Sequence, residues 1–215
     1  MIKDVLYGWN GGNNHLFHLI NDLHTPLSDR FMLLGTQLGN YVLFPAYLTL
    51  FAVIGFLVTT RSKGMDSQQK QQMALNWLNV LGILCMTAVL DGILVTVIKH
   101  WFAFPRPLMA LPPATVHLVG KIDANNLSFP SGHSSFAMVL ALSLWPIFKH
   151  WQRGVALLFV LWVGVSRVNV GAHFPADVLA GWLLVVPCLL LARMMVAQWL
   201  SRRLAHWLSV QTWLV

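Results

Sequence analysis

The sequence predicts an all-α integral membrane protein, a bundle of about five transmembrane helices preceded by an interfacial N-terminal segment. Of its 215 residues, 57% are hydrophobic and only 10% are charged, whereas about a quarter of the residues in a typical soluble domain carry a charge. Several apolar runs also reach the roughly 20 residues that a helix needs to cross a bilayer. Lipid is therefore the expected solvent for most of the chain.

The first segment, residues 1–30, is polar and rich in turn-forming residues. Its apolar stretch at 16–20 is too short to cross a bilayer, and it lacks the features of a signal peptide. We therefore expect this segment to lie at the membrane surface. If it crossed the membrane instead, the bundle would contain six transmembrane helices.

Five apolar runs follow this segment. Three of them are long enough to cross as single helices: 31–60, 74–98 and 177–200. The two shorter runs, 134–148 and 154–170, are separated by a basic turn and are predicted to form a helical hairpin. No internal repeat or linker divides the chain, so residues 1–215 are predicted to form one membrane-embedded domain.

The distribution of basic residues predicts the orientation in the membrane. With five crossings, one side receives most of them: Arg61, Lys63, Lys70, Lys149, Arg153, Arg193, Arg202 and Arg203. By the positive-inside rule this side is cytoplasmic, and the opposite side faces the periplasm or exterior of a bacterial inner membrane. The net charge of +7 forms no basic stripe, so nucleic acid is not an expected partner. The sequence leaves the oligomeric state open.

Three groups of polar residues gather at the outer ends of the predicted helices. The first group is Lys99 and Arg106, at the exit of the second span. Two cations at a helix C-terminus can bind an anion. They can equally complement the helix dipole and extend toward the membrane interface.

The second group is the turn Pro130-Ser131-Gly132-His133, which leads into the third span. Free backbone N–H groups at a helix N-terminus, together with the positive end of the helix dipole, suit a phosphate. The alternative is an ordinary turn in which Ser131 serves only as a helix cap.

The third group contains Arg167 at the end of the fourth span, then His173, then Asp177. Because Pro175 suits the first turn of a helix, His173 is predicted just before the fifth helix and Asp177 one turn inside it. A carboxylate so placed can fix the imidazole tautomer and leave the other nitrogen free to attack. Alternatively, Asp177 only favours the helix N-terminus and His173 is a polar interface residue.

Together the three groups predict a phosphoryl-transfer site. Such a site needs cations that neutralise phosphate charge and groups that position the reactants, and Arg binds phosphate oxygens well. The spacing does not decide whether His173 or His133 is the nucleophile and which is the proton donor.

The three motifs, in this order, resemble the signature of the type 2 phosphatidic acid phosphatase superfamily over about residues 95–180. The resemblance implies an all-helical core and metal-independent dephosphorylation, with no cofactor, through a phosphohistidine at His173. It implies that Asp177 orients His173 and that His133 is the acid. It also implies phosphate contacts from a further set of residues: Lys99, Arg106, Ser131, Gly132 and Arg167.

The superfamily also contains soluble acid phosphatases and vanadate-dependent haloperoxidases, so membership alone does not identify the substrate. The membrane context narrows the range of possible substrates. A site at the bilayer surface suits a lipid whose tail stays in the membrane, and undecaprenyl diphosphate is the expected substrate. Phosphatidylglycerophosphate, phosphatidic acid and lipid A are alternatives. The site could also pass phosphate to a second lipid, as a phosphotransferase does. A lipid or phosphate carrier ranks last, because the repeated halves and broken helices common in transporters are missing from the sequence pattern.

Two other features inside the apolar runs bear on these predictions. Asp91 lies about two helical turns before Lys99, and because an intramembrane carboxylate is costly without a partner, a structural partner is expected for it. A role in binding substrate or moving a proton is the alternative. Cys85 and Cys188 both lie within apolar runs, so they are expected to be packing residues rather than disulfide or metal-binding residues.

Overall fold

The computed structural model describes residues 7–122 and 126–211, with side chains to residue 199. Within these ranges no strand is found and eight α-helices make up the fold. They are α1 (Gly12–Asn21), α2 (Pro26–Leu38), α3 (Phe44–Arg61), α4 (Ser67–Phe102), the short α5 (Pro107–Ala110), α6 (Gly132–Leu144), α7 (His150–Asn169) and α8 (Pro175–Gln211). The predicted all-α class is confirmed.

Three segments of the described chain are long and apolar enough to cross a membrane: Tyr41–Arg61, Ser67–Ala110 and Pro175–Trp199. They contain α3, α4 and the greater part of α8. The two helices of the predicted hairpin are α6 and the 20-residue α7. Together with the turn that follows it, α6 forms a shorter apolar helix, Gly132–Ile147. The five predicted crossings therefore correspond to α3, α4, α6, α7 and α8.

The predicted single span over 31–60 is wrong, because the helix is broken near its middle. Helix α2 ends at Leu38, and the Asn40 side chain accepts a hydrogen bond from Val42 N at 3.0 Å to start a new turn. Asn favours such local bonding over helix interiors. The membrane-span candidate begins at Tyr41, while α2 packs against α7 through Phe31, which stacks on Trp162 with ring centroids 4.6 Å apart.

The N-terminal segment predicted at the interface is packed against the bundle in its described part. Helix α1 contacts α7 and α8, and its Phe17 side chain is fully buried. Asn13 accepts a hydrogen bond from Ala176 N at 3.0 Å, so α1 is tied to the first turn of α8. Residues 1–6 of the segment lie outside the described residues.

The core lies where α4, α6 and α8 pack against one another. Phe136 is at its centre, fully buried and in ring contact with Tyr41 on the neighbouring element. Outward from this core the helices carry exposed apolar side chains, such as Leu183 with 70% of its surface accessible. In a membrane-spanning bundle these side chains face the hydrocarbon of lipid tails.

The structural partner expected for Asp91 is present. Asp91 is fully buried, and its Oδ2 accepts hydrogen bonds from the Tyr41 hydroxyl and, at 2.8 Å, from Ser135 Oγ. These contacts join the start of the first span to α4 and α6. The carboxylate therefore compensates part of the cost of its burial by linking three elements of the bundle.

Two helix starts are brought close together at the end of the bundle where the signature residues lie. Ser131 N donates to Asp177 O at 2.9 Å, which joins the first turns of α6 and α8. A Cβ atom on Gly181 would lie only 2.6 Å from Ser131 O. Glycine at 181 is therefore needed for the close approach that sets these two motifs side by side.

Candidate active site

His173 and Asp177 form the centre of the site, at the junction of α7 and α8. His173 Nδ1 lies 3.3 Å from Asp177 Oδ2, and both side chains are buried, with 2% and 0% of their surface accessible. His173 sits just ahead of α8, and Pro175 begins that helix. The carboxylate faces Nδ1, so an Nδ1–H tautomer would leave the lone pair of Nε2 available for attack.

Asp177 is held by three donors besides the imidazole. Its Oδ2 accepts from Ser128 Oγ at 2.5 Å and from Phe174 N at 2.9 Å, and its Oδ1 accepts from the Tyr7 hydroxyl at 2.9 Å. These donors come from the chain before α6, from the start of α8 and from the N-terminal segment. The carboxylate is therefore fixed in position, and it fixes the imidazole in turn.

The three predicted cations surround His173 from three elements. Lys99 Nζ, near the end of α4, donates to Leu127 O at 2.6 Å, and Arg106 Nη1 donates to Ala172 O at 3.3 Å. Arg167, in the last turn of α7, has only 6% of its surface accessible, and its Nε has no hydrogen-bond partner within the described part of the chain. Such a buried donor is costly unless an acceptor such as a phosphate oxygen satisfies it.

The second motif supplies the start of α6. Ser131 is the N-cap of this helix, with Ser134 N 3.4 Å from its Oγ, and Gly132 is the first helical residue. The ordinary capping role considered for Ser131 is thus present. His133 follows in the first turn and is within electrostatic range of Arg167 and His173.

The surroundings of His173 determine its protonation. Complete burial, and then the charges of Arg167, Lys99 and Arg106, lower the pKa of His173 well below its usual value. A neutral imidazole is the nucleophilic form. The pKa of Tyr7 is shifted in the opposite direction, since burial and the charge of Asp177 raise it above the usual range. Tyr7 therefore stays protonated as a hydrogen-bond donor to Asp177.

Sequence reasoning missed Tyr7 and Ser128. Ser128 comes only two residues before the Pro130 turn, so its nearness to the motif was a usable signal. Tyr7 lies 170 residues from Asp177 in sequence and belongs to a segment without a motif, so only the folded structure identifies it. In contrast, all eight predicted site residues lie on elements that converge at this end of the bundle.

Fold and site together define a helical membrane protein with a buried histidine–carboxylate pair beside an anion-attracting group of cations. Residues 80–201 match the PAP2 superfamily, and the chain belongs to this superfamily. The resemblance stated from the three motifs is confirmed. With three helical segments apolar and long enough to cross a bilayer, the chain is an integral membrane protein.

The relatives that this chain matches include proteins named lipid A 1-phosphatase and undecaprenyl-diphosphatase. A lipid A 1-phosphatase of Rhizobium johnstonii is 27% identical over 75% of this chain and 66% of its own length. An undecaprenyl-diphosphatase of Sulfolobus acidocaldarius is 35% identical over 47% of this chain and 48% of its own length. The crystal structure of Aquifex aeolicus LpxE superposes with a TM-score of 0.66 and 27% identity, covering 83% of this chain and 92% of that one. The chain spans about half to two thirds of the length of the lipid A 1-phosphatase and undecaprenyl-diphosphatase relatives.

Proposed function

We propose that the protein hydrolyses a phosphomonoester or diphosphate on a membrane lipid, with His173 as nucleophile and without a catalytic metal. The observation that carries this proposal is the pairing of buried His173 with Asp177 near Arg167, whose buried Nε has no hydrogen-bond partner among the described residues. A neutral nucleophile and an adjacent cationic phosphate site are the two requirements of phosphoryl transfer to a histidine.

In the first step, the lone pair of His173 Nε2 attacks phosphorus, and the bond from phosphorus to the leaving oxygen breaks. Asp177 stabilises the positive charge that develops on the ring through the Nδ1–H. Lys99, Arg106 and Arg167 neutralise the phosphate oxygens, and the first N–H groups of α6 add further donors. A phosphohistidine and a lipid alcohol or lipid monophosphate result.

His133 acts first as the general acid and then as the general base. The negative charge of a bound phosphate favours its protonated form, and it gives this proton to the leaving oxygen. Neutral His133 then takes a proton from water, whose oxygen attacks phosphorus as the Nε2–P bond breaks. Inorganic phosphate leaves, and both histidines return to their starting states.

The substrate class follows from the location of the site at the ends of lipid-facing helices. Undecaprenyl diphosphate is the substrate expected from the sequence. A lipid A 1-phosphate is the second candidate, because a relative of that name matches three quarters of this chain. An active site facing the periplasm or exterior of an inner membrane agrees with both candidates.

The test is phosphate release by the detergent-purified chain, in EDTA, from separate micelles of undecaprenyl diphosphate, lipid A, phosphatidylglycerophosphate and phosphatidic acid. His173→Ala is the inactive variant. His100→Ala is its matched control, because His100 is an exposed histidine at the end of α4. Release from one lipid or a few lipids by the control but not by His173→Ala supports the proposal. Release that persists in His173→Ala would contradict it.

A further inference from the structure

A second group of side chains with metal-binding chemistry lies outside the phosphate site. His24 precedes α2, Asp29 lies in the first turn of α2, and His117 lies in the chain that follows α5. One potential ligand atom from each residue lies within 4.8 Å of the other two. Because Asp29 and His117 are 88 residues apart in sequence, the fold is what brings the group together.

Ordinary packing explains only part of this arrangement. His117 Nε2 lies 3.4 Å from Asp29 Oδ2, which is a weak hydrogen bond or ion pair. The other carboxylate oxygen, Oδ1, is buried and has no hydrogen-bond partner among the described residues. The His24 ring is stacked on His117 with centroids 3.7 Å apart and planes 8° apart. An unpartnered buried carboxylate oxygen beside two imidazoles is satisfied by a bound cation.

We infer that His24, Asp29 and His117 form a divalent-metal site of the zinc class, separate from the phosphate site. Two imidazole nitrogens and one carboxylate oxygen form a ligand set that suits Zn²⁺ and leaves a fourth position for water. Tetrahedral zinc, with Zn–N distances of about 2.0–2.1 Å, holds its ligand atoms about 3.3 Å apart. The three atoms therefore need to draw together by roughly 1.5 Å at most. The His24 and His117 rings are stacked nearly parallel, so their nitrogen lone pairs do not converge on one point. To bind the metal, the His24 ring has to leave this stack and turn, which its exposed position allows.

The proposed metal would stabilise the segment at His117, which packs against the loop 170–174 that contains His173. The Asn21 side chain donates to His117 O at 2.8 Å and to Asn169 O at 2.7 Å, and it accepts from His117 N at 2.8 Å. A Cβ atom on Gly171, whose φ is +79°, would lie 2.5 Å from His117 O. The segment at His117 therefore rests directly on the loop that leads to His173. A metal bound here would link the start of α2 to the segment at His117, and through that segment to the loop before His173, without taking part in the chemistry.

The experiment is a zinc titration of the full chain, purified in detergent without a polyhistidine tag and stripped of metal beforehand. The thermal unfolding midpoint is measured with Zn²⁺ and, in parallel, with Mg²⁺, which prefers oxygen ligands. At a hundredfold excess over its dissociation constant, Zn²⁺ is expected to raise the midpoint by about 5–10 °C. Mg²⁺ at the same concentration is expected to leave it unchanged.

Three variants locate the effect. His24→Ala and Asp29→Asn should lose the zinc-dependent shift, and His24→Ala is expected to fold because His24 is exposed. His15→Ala is the matched control, because it removes another exposed histidine from the same N-terminal segment, and it should keep the full shift. The inference is overturned if Zn²⁺ does not shift the wild-type midpoint, or if His24→Ala shows the wild-type shift.

Discussion

The Tyr7 hydroxyl donates a hydrogen bond to Asp177 Oδ1 at 2.9 Å, joining the N-terminal segment to the carboxylate that faces His173. Tyr7→Phe removes this bond and keeps the ring. Losing one hydrogen bond of about 1 kcal/mol should lower kcat roughly fivefold, because Asp177 then holds His173 less firmly. KM should change little, since Tyr7 is not among the predicted phosphate contacts. Steady-state kinetics on the preferred lipid measure both constants, and an unchanged kcat would show that Asp177 is held well enough without Tyr7.

Asp177→Asn tests the orienting role of the carboxylate. The amide removes the negative charge that favours the Nδ1–H tautomer and stabilises the developing imidazolium, so kcat should fall by at least about 10²-fold. The thermal unfolding midpoint should be measured as well, because Asp177 accepts from Ser128, Phe174 and Tyr7. A folded variant that turns over at the wild-type rate would rule out this role.

Vanadate and EDTA probe the transition state and the need for a catalytic metal. Vanadate imitates five-coordinate phosphorus, so it should inhibit competitively with the lipid. EDTA should leave the initial rate of phosphate release unchanged in the wild type and in His24→Ala. The variant is included so that an effect at the proposed zinc site can be told apart from an effect at His173. Loss of activity in EDTA in both proteins, restored by a divalent ion, would contradict metal-free chemistry.

The lowered pKa of His173 predicts how stability depends on pH. In the unfolded chain the residue binds a proton as pH falls below about 6.5, whereas buried His173 stays neutral there. The unfolded state then binds more protons, so acid should cost the folded state up to about 1.4 kcal/mol per pH unit below 6.5. His173→Asn lacks this contribution. Unfolding free energies measured from pH 8 to pH 5 should therefore fall more steeply for the wild type than for the variant, and parallel curves would contradict the lowered pKa.

Much of this fold could be predicted because membrane helices are specified by apolar runs that are continuous in the sequence. Long apolar runs require helices in lipid, and a five-crossing topology is enough to bring Lys99, His133 and His173 to one face. The break before Tyr41 was missed because long apolar runs lie on both sides of it, although Gly39 and Asn40 at the break were a usable sequence signal for a turn. The contact of Tyr7 with Asp177 and the pairing of His24 with His117 depend on packing between residues far apart in the sequence, which no local sequence pattern indicates.

In the proposed reaction, His173 carries the phosphoryl group between the lipid and water. The most direct test is rapid quenching of the detergent-purified chain with a lipid substrate labelled in its terminal phosphate, followed by mass spectrometry of the peptides. We expect a covalent phosphate on the peptide containing His173, formed within one turnover. This phosphate should be absent in His173→Ala and present in His100→Ala. Turnover with no covalent phosphate, or with the phosphate on a different residue, would contradict this proposal.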